Sequence, residues 1–133
     1  MTPFKLKIVT PSRIFFNSEV ENIIVRTTVG DKGILAKHEP YVAALPLGKM
    51  QVMIGGKFRT AAISPGTIRV EEGGNTVILV QSCEWSNKID VARAKEAKRI
   101  AEKRIADETK SNVEHEIAAF KLKRALNRLD AAE

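Results

Sequence analysis

The sequence predicts a β-sandwich of about eight to ten strands, followed by a C-terminal antiparallel two-helix hairpin. In residues 1–87, apolar and polar residues alternate with a period of two, and turn signals such as GDKG, SPG and EEGGN separate the short runs. From residue 88 the apolar period becomes that of a helix. This change predicts two domains, a sandwich at 1–87 and a helical hairpin at 88–133.

Short alternating runs predict the individual strands. FKLKIV alternates Phe4, Leu6 and Ile8 against two lysines, as expected for a strand with one buried face. KFRTAAI and TIRV alternate similarly, whereas TVILV at 76–80 is apolar enough for a strand that is covered on both faces. No glycine-rich phosphate loop interrupts these runs. The pattern is typical of a sandwich or flattened barrel.

Two helices account for the rest of the chain. Asp90 is a good N-cap, and VARAKEAKRIAEKRIADE follows it without glycine, proline or aromatic residues. A mostly alanine stripe runs along the first helix: Val91, Ala94, Ala97, Ala101 and Ile105. After the break at TKSN, Ser111 or Asn112 can cap a second helix with a richer apolar face. That face comprises Ala118, Leu122, Ala125, Leu126 and Leu129. Because buried alanine contributes far less than the roughly 1.5–3 kcal/mol of a large side chain, the hairpin needs further support.

Composition indicates a soluble globular protein with an anionic partner. The chain is 44% hydrophobic and 29% charged, with a formal charge of +6 and a pI near 9.6. Such a charge suits nucleic acid, lipid headgroups, a nucleotide or an acidic protein surface. Cys83 is the only cysteine, which favours a reducing compartment. No signal peptide or membrane span is recognised, so we expect a soluble or peripheral protein.

Three function classes receive little support from the residues. Segment 1–87 has 10 basic and 7 acidic residues and the remainder has 12 and 9, so neither half has the charge of a nucleic-acid-binding domain. His38 and His115 lie in distinct segments with no metal-ligand spacing around them. No nucleophile is accompanied by a base. We therefore expect no nucleic acid, no metal and no catalysis.

Asp90 and Arg93 open the first helix and have two interpretations. In the simpler one, Asp90 caps the helix and forms a surface ion pair with Arg93 at i,i+3. In the other, the carboxylate and the guanidinium hold a nucleotide, with Arg93 on its phosphates. The local sequence leaves both interpretations open.

The segment KLKRALNR at 121–128 is a basic run on the second helix. Lys121, Lys123, Arg124 and Arg128 occur there without an acidic residue. Such a run is commonly a solvated helix face. An antiparallel hairpin could instead bring it beside Arg93 to meet polyphosphate, or it could face an acidic protein helix. The last two uses exclude each other if they require different positions of the hairpin, which would make a switch.

Four segments in order resemble the epsilon subunit of bacterial F-type ATP synthases. They are LKIVTPSRIFF, GDKGILAKHEPYVAAL, VILVQSCEW and IDVARAKEAKR. The resemblance implies a non-catalytic subunit of the central stalk, peripheral on the cytoplasmic side of the plasma membrane. Its sandwich would bind the gamma subunit and the c-ring, with Asp31 and His38 near the ring. Its hairpin would lie folded or extend towards the alpha and beta subunits, blocking ATP hydrolysis, with Lys123, Arg124 and Arg128 facing an acidic segment of beta.

The bacillus-like members resembled here carry the motif Ile/Leu-Asp-x-x-Arg-Ala, which accompanies ATP binding. The resemblance implies ATP as a regulatory ligand that stabilises the folded hairpin, with no cofactor required. The implied ATP-binding residues are Glu84, Ile89, Asp90, Arg93, Ala94, Arg124 and Arg128. Three positions depart from the family pattern: Ile100 stands where an arginine is usual, and Ala36 and Lys37 stand where proline and glycine are usual.

Overall fold

A computed structural model of the chain describes residues 2–132, and within them ten strands precede three helical segments. The strands are β1 (Phe4–Thr10), β2 (Arg13–Val20), β3 (Asn22–Thr27), β4 (Gly30–Ile34), β5 (Tyr41–Leu45), β6 (Gly48–Ile54), β7 (Lys57–Ile63), β8 (Gly66–Val70), β9 (Thr76–Val80) and β10 (Cys83–Trp85). A 3-10 helix (Ser86–Lys88), α1 (Val91–Ala106) and α2 (Asn112–Ala132) follow. The chain divides into two compact units between Trp85 and Ser86.

The strands form two five-stranded sheets. The first has the order β2-β1-β9-β8-β5 and the second the order β10-β7-β6-β3-β4. Neighbouring strands are antiparallel except β1 and β9, which are parallel. Alternate side chains of both sheets point inwards and are fully buried, as the period of two predicts. They include Leu6, Ile8, Ile23, Ile34, Met50, Val52, Ile68 and Ile78. The predicted sandwich is confirmed.

A β-bulge in β2 changes the direction of two phenylalanines. Ile8 pairs with Phe16 and Val9 with Ile14, which leaves Phe15 as the extra residue of the bulged strand. Such a bulge lets consecutive residues face the same side of a sheet. Phe15 and Phe16 are accordingly both half-buried against the core.

The C-terminal unit is a two-helix hairpin with a hydrogen-bonded turn. Ser111 is the N-cap of α2, because its Oγ accepts the Glu114 amide at 3.1 Å. At the end of α1, Asp107 Oδ1 accepts the amide and the hydroxyl of Thr109 at 2.9 and 2.6 Å. His115 Nε2 donates to the Asp107 carbonyl oxygen at 2.7 Å, which ties the first turn of α2 to the end of α1. The predicted hairpin is confirmed, with its turn fixed by polar contacts.

Alanines are the buried residues of both helices. Ala94 and Ala101 are buried on α1, and Ala118 and Ala125 are buried at the same seven-residue spacing on α2. Since α1 and α2 pack against each other in antiparallel directions, two layers of alanine can face each other and allow close approach. The free energy gained by burying methyl groups is small, so the helix pair is weakly held together.

Three large apolar residues predicted on the buried stripes are exposed instead. Leu126 is 45% exposed because it follows buried Ala125 by one residue, and one residue turns a helix by about 100°. Val91 and Ile105, at the two ends of the α1 stripe, are 40% and 38% exposed. The buried stripe is therefore narrower than the sequence pattern predicts. Among the described residues, no helix has the length and hydropathy of a membrane span.

Candidate functional site

Asp90 is the N-cap of α1, as predicted. Its Oδ1 accepts the backbone N–H of Arg93 at 3.0 Å, and its carbonyl oxygen accepts the N–H of Ala94 at 3.0 Å. Of the simpler interpretation, the cap is formed, whereas the described part of the chain has no ion pair between the Asp90 carboxylate and the Arg93 guanidinium. The reason is geometric: the Asp90 carboxylate faces the amides of the first turn, whereas the guanidinium of Arg93 extends from that turn into solvent.

Ile89 and Ala94 flank the cap as the two ends of a hydrophobic staple. With Asp90 as N-cap, they occupy the positions before the cap and four residues after it, which commonly pack together. Both side chains are buried. The segment Ile-Asp-x-x-Arg-Ala is thus a helix-starting signal in itself. Of its residues, Asp90 and Arg93 have exposed polar groups for a ligand.

The hairpin brings the basic run of α2 back to the start of α1. Arg93 and Arg124 are nearly equidistant along the chain from the turn at Thr109, so antiparallel helices place them at one level. Arg124 is exposed, and Arg128, one turn further on the same face, is half-buried. The hairpin therefore gathers one carboxylate and three guanidinium groups near its open end.

Glu84 is placed in the sandwich rather than in the hairpin. It is the middle residue of β10, opposite Ala62 of β7, and is half-buried. Its neighbour Cys83 is buried, and burial raises the pKa of the Cys83 thiol to about 12, with the negative charge of Glu84 contributing in the same direction. Cys83 is thus protonated at neutral pH and unsuited to be a nucleophile.

Asp31 is already held by a partner within the second sheet. Arg26 and Asp31 are opposite each other on β3 and β4, and Arg26 Nε donates to Asp31 Oδ1 at 2.9 Å. This hydrogen bond, together with the charge of the guanidinium, lowers the pKa of the Asp31 carboxyl. Both side chains are exposed, so the pair presents a fixed arrangement of charge at the surface.

His38 lies in the loop between β4 and β5. Its Nδ1 donates to the carbonyl oxygen of Glu39 at 2.7 Å, and its ring meets the Tyr41 ring edge-on at 6.0 Å between centroids. Lys32, the residue after Asp31, places its Nζ 4.8 Å from the centre of the Tyr41 ring. Tyr41 thus links the His38 loop to β4.

Lys37 has a left-handed backbone conformation, which favours glycine at this position of the loop. Its φ is +61°, which makes it the one non-glycine residue with a positive φ among residues 2–132. The left-handed region is readily accessible to glycine and costly for a residue with a Cβ. Lys37 therefore holds a backbone conformation that glycine would adopt with less strain.

Two family models match consecutive parts of the chain. The model described as "ATP synthase, Delta/Epsilon chain, beta-sandwich domain" matches residues 3–86, and "ATP synthase, Delta/Epsilon chain, long alpha-helix domain" matches residues 87–133. The chain belongs to the ATP synthase delta/epsilon family. The resemblance drawn from the sequence is confirmed.

Individual relatives of the delta/epsilon family match over 77–99% of the chain. The "ATP synthase epsilon chain" of Ruminococcus albus is 45% identical over 132 residues, covering 99% of this chain and 98% of that one. That of Alkaliphilus oremlandii is 50% identical over 103 residues, covering 77% and 76%. That of Bacillus pumilus is 40% identical over 132 residues, covering 99% and 98%.

Two solved structures share the fold. One is a chain from the Euglena gracilis mitochondrial ATP synthase, in a structure titled "OSCP/F1/c-ring in rotational state 1", with a TM-score of 0.83 and 24% identity. The match covers 99% of this chain and 82% of that chain. A chain from the "central stalk/cring" of the Tetrahymena thermophila mitochondrial ATP synthase matches with a TM-score of 0.63 and 13% identity, covering 99% and 98%. At these identities the likeness shows the fold.

The sandwich of this delta/epsilon chain also carries an exposed apolar surface that the site predictions omitted. Ile14, Val9, Leu79 and Ala44 lie in one row across the outer side of the first sheet, interrupted by Thr67. Ile14 is 53% and Leu79 51% exposed. Together with nearby Val42, we call these residues the outer apolar face. The segment TVILV indicated this surface, because it has apolar residues on both sides of the strand and so predicts burial of both sides. Leu79 is nevertheless half-exposed in the structure.

A depression of about 290 Å³ adjoins the outer apolar face at Val9 and Leu79. It is lined by Val9, Thr10, Pro11, Pro65, Gly66, Leu79, Val80 and Gln81. Two exposed basic residues, Lys7 and Arg69, lie in the adjacent row of the same side of the sheet. An apolar surface with a basic margin suits a protein partner that presents apolar side chains bordered by acidic ones.

Proposed function

We propose that this chain is a non-catalytic subunit of the central stalk of an F-type ATP synthase, which couples the rotor and restrains ATP hydrolysis through a mobile hairpin. Family membership and the central-stalk and c-ring assemblies of the fold neighbours support the stalk role. The subunit would be peripheral to the membrane, on the cytoplasmic side. The observation that carries the regulatory part is the hairpin, whose helices are joined by small apolar contacts and gather three arginines near the open end.

The gamma subunit is the proposed partner of the outer apolar face. An exposed patch with a depression for an inserted side chain has the form of an interface core, and hot spots commonly sit in such pockets. The basic margin at Lys7 and Arg69 disfavours self-association, because a two-fold contact would bring like charges together. A different chain with an acidic margin fits better.

The c-ring is the proposed partner of the surface around Asp31 and His38. The Arg26–Asp31 pair and the Tyr41 contacts hold this surface in one conformation. A fixed charge arrangement loses little conformational entropy on binding. The turn between β3 and β4 adds exposed Val29, whose backbone N–H is held by the Thr27 hydroxyl at 3.2 Å.

Inhibition of hydrolysis is proposed to require release of the hairpin. Lys123, Arg124 and Arg128 would then meet an acidic segment of the beta subunit, with the alpha subunit also in contact. Lys123 points about 100° away from Arg124 on α2, so the three cations form a broad basic surface rather than one row. Such a surface suits an extended acidic segment better than a single carboxylate.

ATP is the proposed ligand that holds the hairpin folded. The Arg93 guanidinium is exposed and Arg124 lies at its level along the hairpin, which suits phosphate groups. Asp90 keeps one carboxylate oxygen beyond its capping bond to accept from an amino or hydroxyl group. In this proposal Ile89 and Ala94 form the staple behind the ligand, and Glu84 stays a ligand residue that only the family resemblance implies. A ligand that binds only the folded state shifts the balance towards it.

Calorimetric titration of the purified chain with ATP tests the nucleotide site. We expect saturable binding that is lost, or weakened at least about tenfold, in Arg93→Ala. Arg99→Ala is the matched control on the same helix, because Arg99 is paired with Glu96 at 2.6 Å. Equal affinities for the native chain and Arg93→Ala would contradict the site, as would the absence of binding by the native chain.

A further inference from the structure

Four side chains form a cluster at the C-terminal end of the sandwich. The ring of Trp85 lies 5.4 Å from that of Phe15 and 5.7 Å from that of Phe16, measured between centroids. The Arg59 guanidinium lies over Trp85, 4.0 Å from the ring centre. We call Phe15, Phe16, Arg59 and Trp85 the aromatic clamp. Trp85 is the last residue of the sandwich unit and the only tryptophan of the chain.

The aromatic clamp joins edge strands of the two sheets. Phe15 and Phe16 lie on β2, at the edge of the first sheet, whereas Trp85 lies on β10, at the edge of the second. The bulge in β2 is what turns both phenylalanines towards the core side. Trp85 therefore sits between an arginine of its own sheet and two rings of the other sheet.

Strand β10 is too short to be held securely by its ladder alone. It has three residues and pairs on one side, with β7, through Cys83–Ile63, Glu84–Ala62 and Trp85–Ala61. Short terminal edge strands are the parts of a sheet that open most readily. The ring and guanidinium contacts of Trp85 act at the last of these pairs, where opening would begin.

A three-residue 3-10 helix separates Trp85 from the start of α1. The 3-10 helix Ser86–Lys88 has no buried residue, and the Ile89 amide reaches the Ser86 carbonyl oxygen at 3.5 Å, the long limit of a hydrogen bond. Regular helical bonding starts with the Ala94 amide on the Asp90 carbonyl oxygen. The strand end at Trp85 is thus followed at once by a short 3-10 helix without a buried side chain, and the next buried residue is Ile89.

We propose that the aromatic clamp holds Trp85 in place, and that Trp85 is therefore the immobile end of a hinge. Movement of the hairpin then occurs by backbone rotation in residues 86–89. This inference rests on the proposed mobile hairpin, and it adds that the backbone movement ends at Trp85 and does not reach β10. Without the clamp, β10 would separate from β7 together with the hairpin. The hinge would then extend back into the sandwich and the position of the released hairpin would be less defined.

Amide hydrogen exchange of the full-length chain, followed residue by residue by NMR, tests the hinge. In the native chain we expect the β10 amides bonded to β7 to be protected and the amides of 86–89 to exchange fast. Arg59→Ala should speed exchange of the protected β10 amides by about tenfold while the β6–β7 amides stay unchanged. Arg59→Lys, which keeps a cation over the ring, should restore part of the protection.

Arg69→Ala is the matched control, because Arg69 is an exposed strand arginine of the other sheet. The hinge proposal is overturned if the β10 amides of the native chain exchange as fast as those of 86–89. It is also overturned if Arg59→Ala changes the exchange rates of the β10 amides no more than Arg69→Ala does. Both results are obtained without nucleotide. Failure of the ATP titration therefore counts against the proposed nucleotide site and leaves this test decisive for the hinge.

Discussion

At the scale of single residues, two positions of the sandwich favour glycine for different reasons, and only one of them is occupied by glycine. Lys37 holds a left-handed conformation in which a Cβ is costly. Gly66 lies in β8 at a place where a Cβ would overlap the carbonyl oxygen of Leu79 on β9. The first residue is strained by its side chain, whereas the second requires that there be none.

Lys37→Gly should stabilise the sandwich. Glycine relieves the left-handed strain of about 1–2 kcal/mol but gives the unfolded chain about 0.5–1 kcal/mol of additional entropy. We expect a net gain of about 0.5–1 kcal/mol in the free energy of unfolding, measured by urea denaturation. Lys7→Gly, at an exposed position within β1, should destabilise instead. Equal effects of the two substitutions would refute the assignment of strain to Lys37.

Gly66→Ala should destabilise the sandwich by about 3 kcal/mol. The nearest neighbouring atom is the Leu79 carbonyl oxygen of central strand β9, which cannot move aside without breaking the β8–β9 ladder. Gly33→Ala on edge strand β4 is the control, since a Cβ there meets nothing within 4 Å and φ is not positive. Thermal or urea unfolding measures both variants. A Gly66→Ala protein as stable as Gly33→Ala would show that the first sheet has more freedom than its register implies.

At the scale of elements, the hairpin depends on its turn as well as on its helix contacts. The buried contacts of α1 and α2 are alanine methyl groups, whereas the turn concentrates the bonds of Asp107, Thr109 and His115. The sequence predicted the helices and four of their buried alanines, but it placed three exposed large apolar residues on the buried stripes. Period and capping residues define where helices begin, but Leu126 and Ala125 differ by one residue and only the packing decides which is buried.

The Asp107 carboxylate should make the hairpin turn sensitive to acid. The Thr109 hydroxyl and amide, with Lys110 and His115 contributing, lower the pKa of Asp107 in the folded state. A lowered folded pKa gives stability that is present above the unfolded value near 4 and is lost as the pH falls through the folded pKa. The exchange rate of the Thr109 amide should therefore rise as the pH falls below about 4, relative to its intrinsic rate.

Asp107→Asn distinguishes the acid sensitivity caused by Asp107 from that caused by the other carboxylates of the chain. The asparagine keeps an oxygen for Thr109 but does not ionise, so the acid-dependent part of the Thr109 protection should disappear. Glu96, whose pKa is lowered by Arg99 on α1, titrates in both proteins and cancels in the comparison. An unchanged pH profile in Asp107→Asn would assign the acid sensitivity elsewhere.

At the scale of the whole molecule, the sequence predicted the division into sandwich and hairpin because each part has its own hydrophobic period. It also predicted Asp90 as the cap of α1, since capping is a local property. The sequence left open whether the Asp90 carboxylate also pairs with the Arg93 guanidinium, because cap geometry decides where the carboxylate points. The outer apolar face could not be assembled from sequence, because Ile14, Val9 and Leu79 become neighbours only through strand register.

Leu79→Glu should weaken binding of the chain to the gamma subunit at least about tenfold. Leu79 is half-exposed in the centre of the outer apolar face, so a charge there would be desolvated by the partner while the isolated chain stays folded. Phe58→Glu is the control, because Phe58 is an exposed apolar residue of the second sheet. Affinity is measured by calorimetry with purified gamma. Equal loss in both variants would place the interface elsewhere.

The most direct test of a hairpin held folded by ATP is hydrogen exchange of the full-length chain with and without saturating nucleotide. The account predicts slower exchange across α1 and α2 with ATP, unchanged exchange in β1–β9, and no effect of ATP in Arg93→Ala. The result that would contradict it is the same exchange pattern of α1 and α2 in both conditions. Asp90 and Arg93 would then serve only to start a helix, and regulation would have to come from the stalk partners alone.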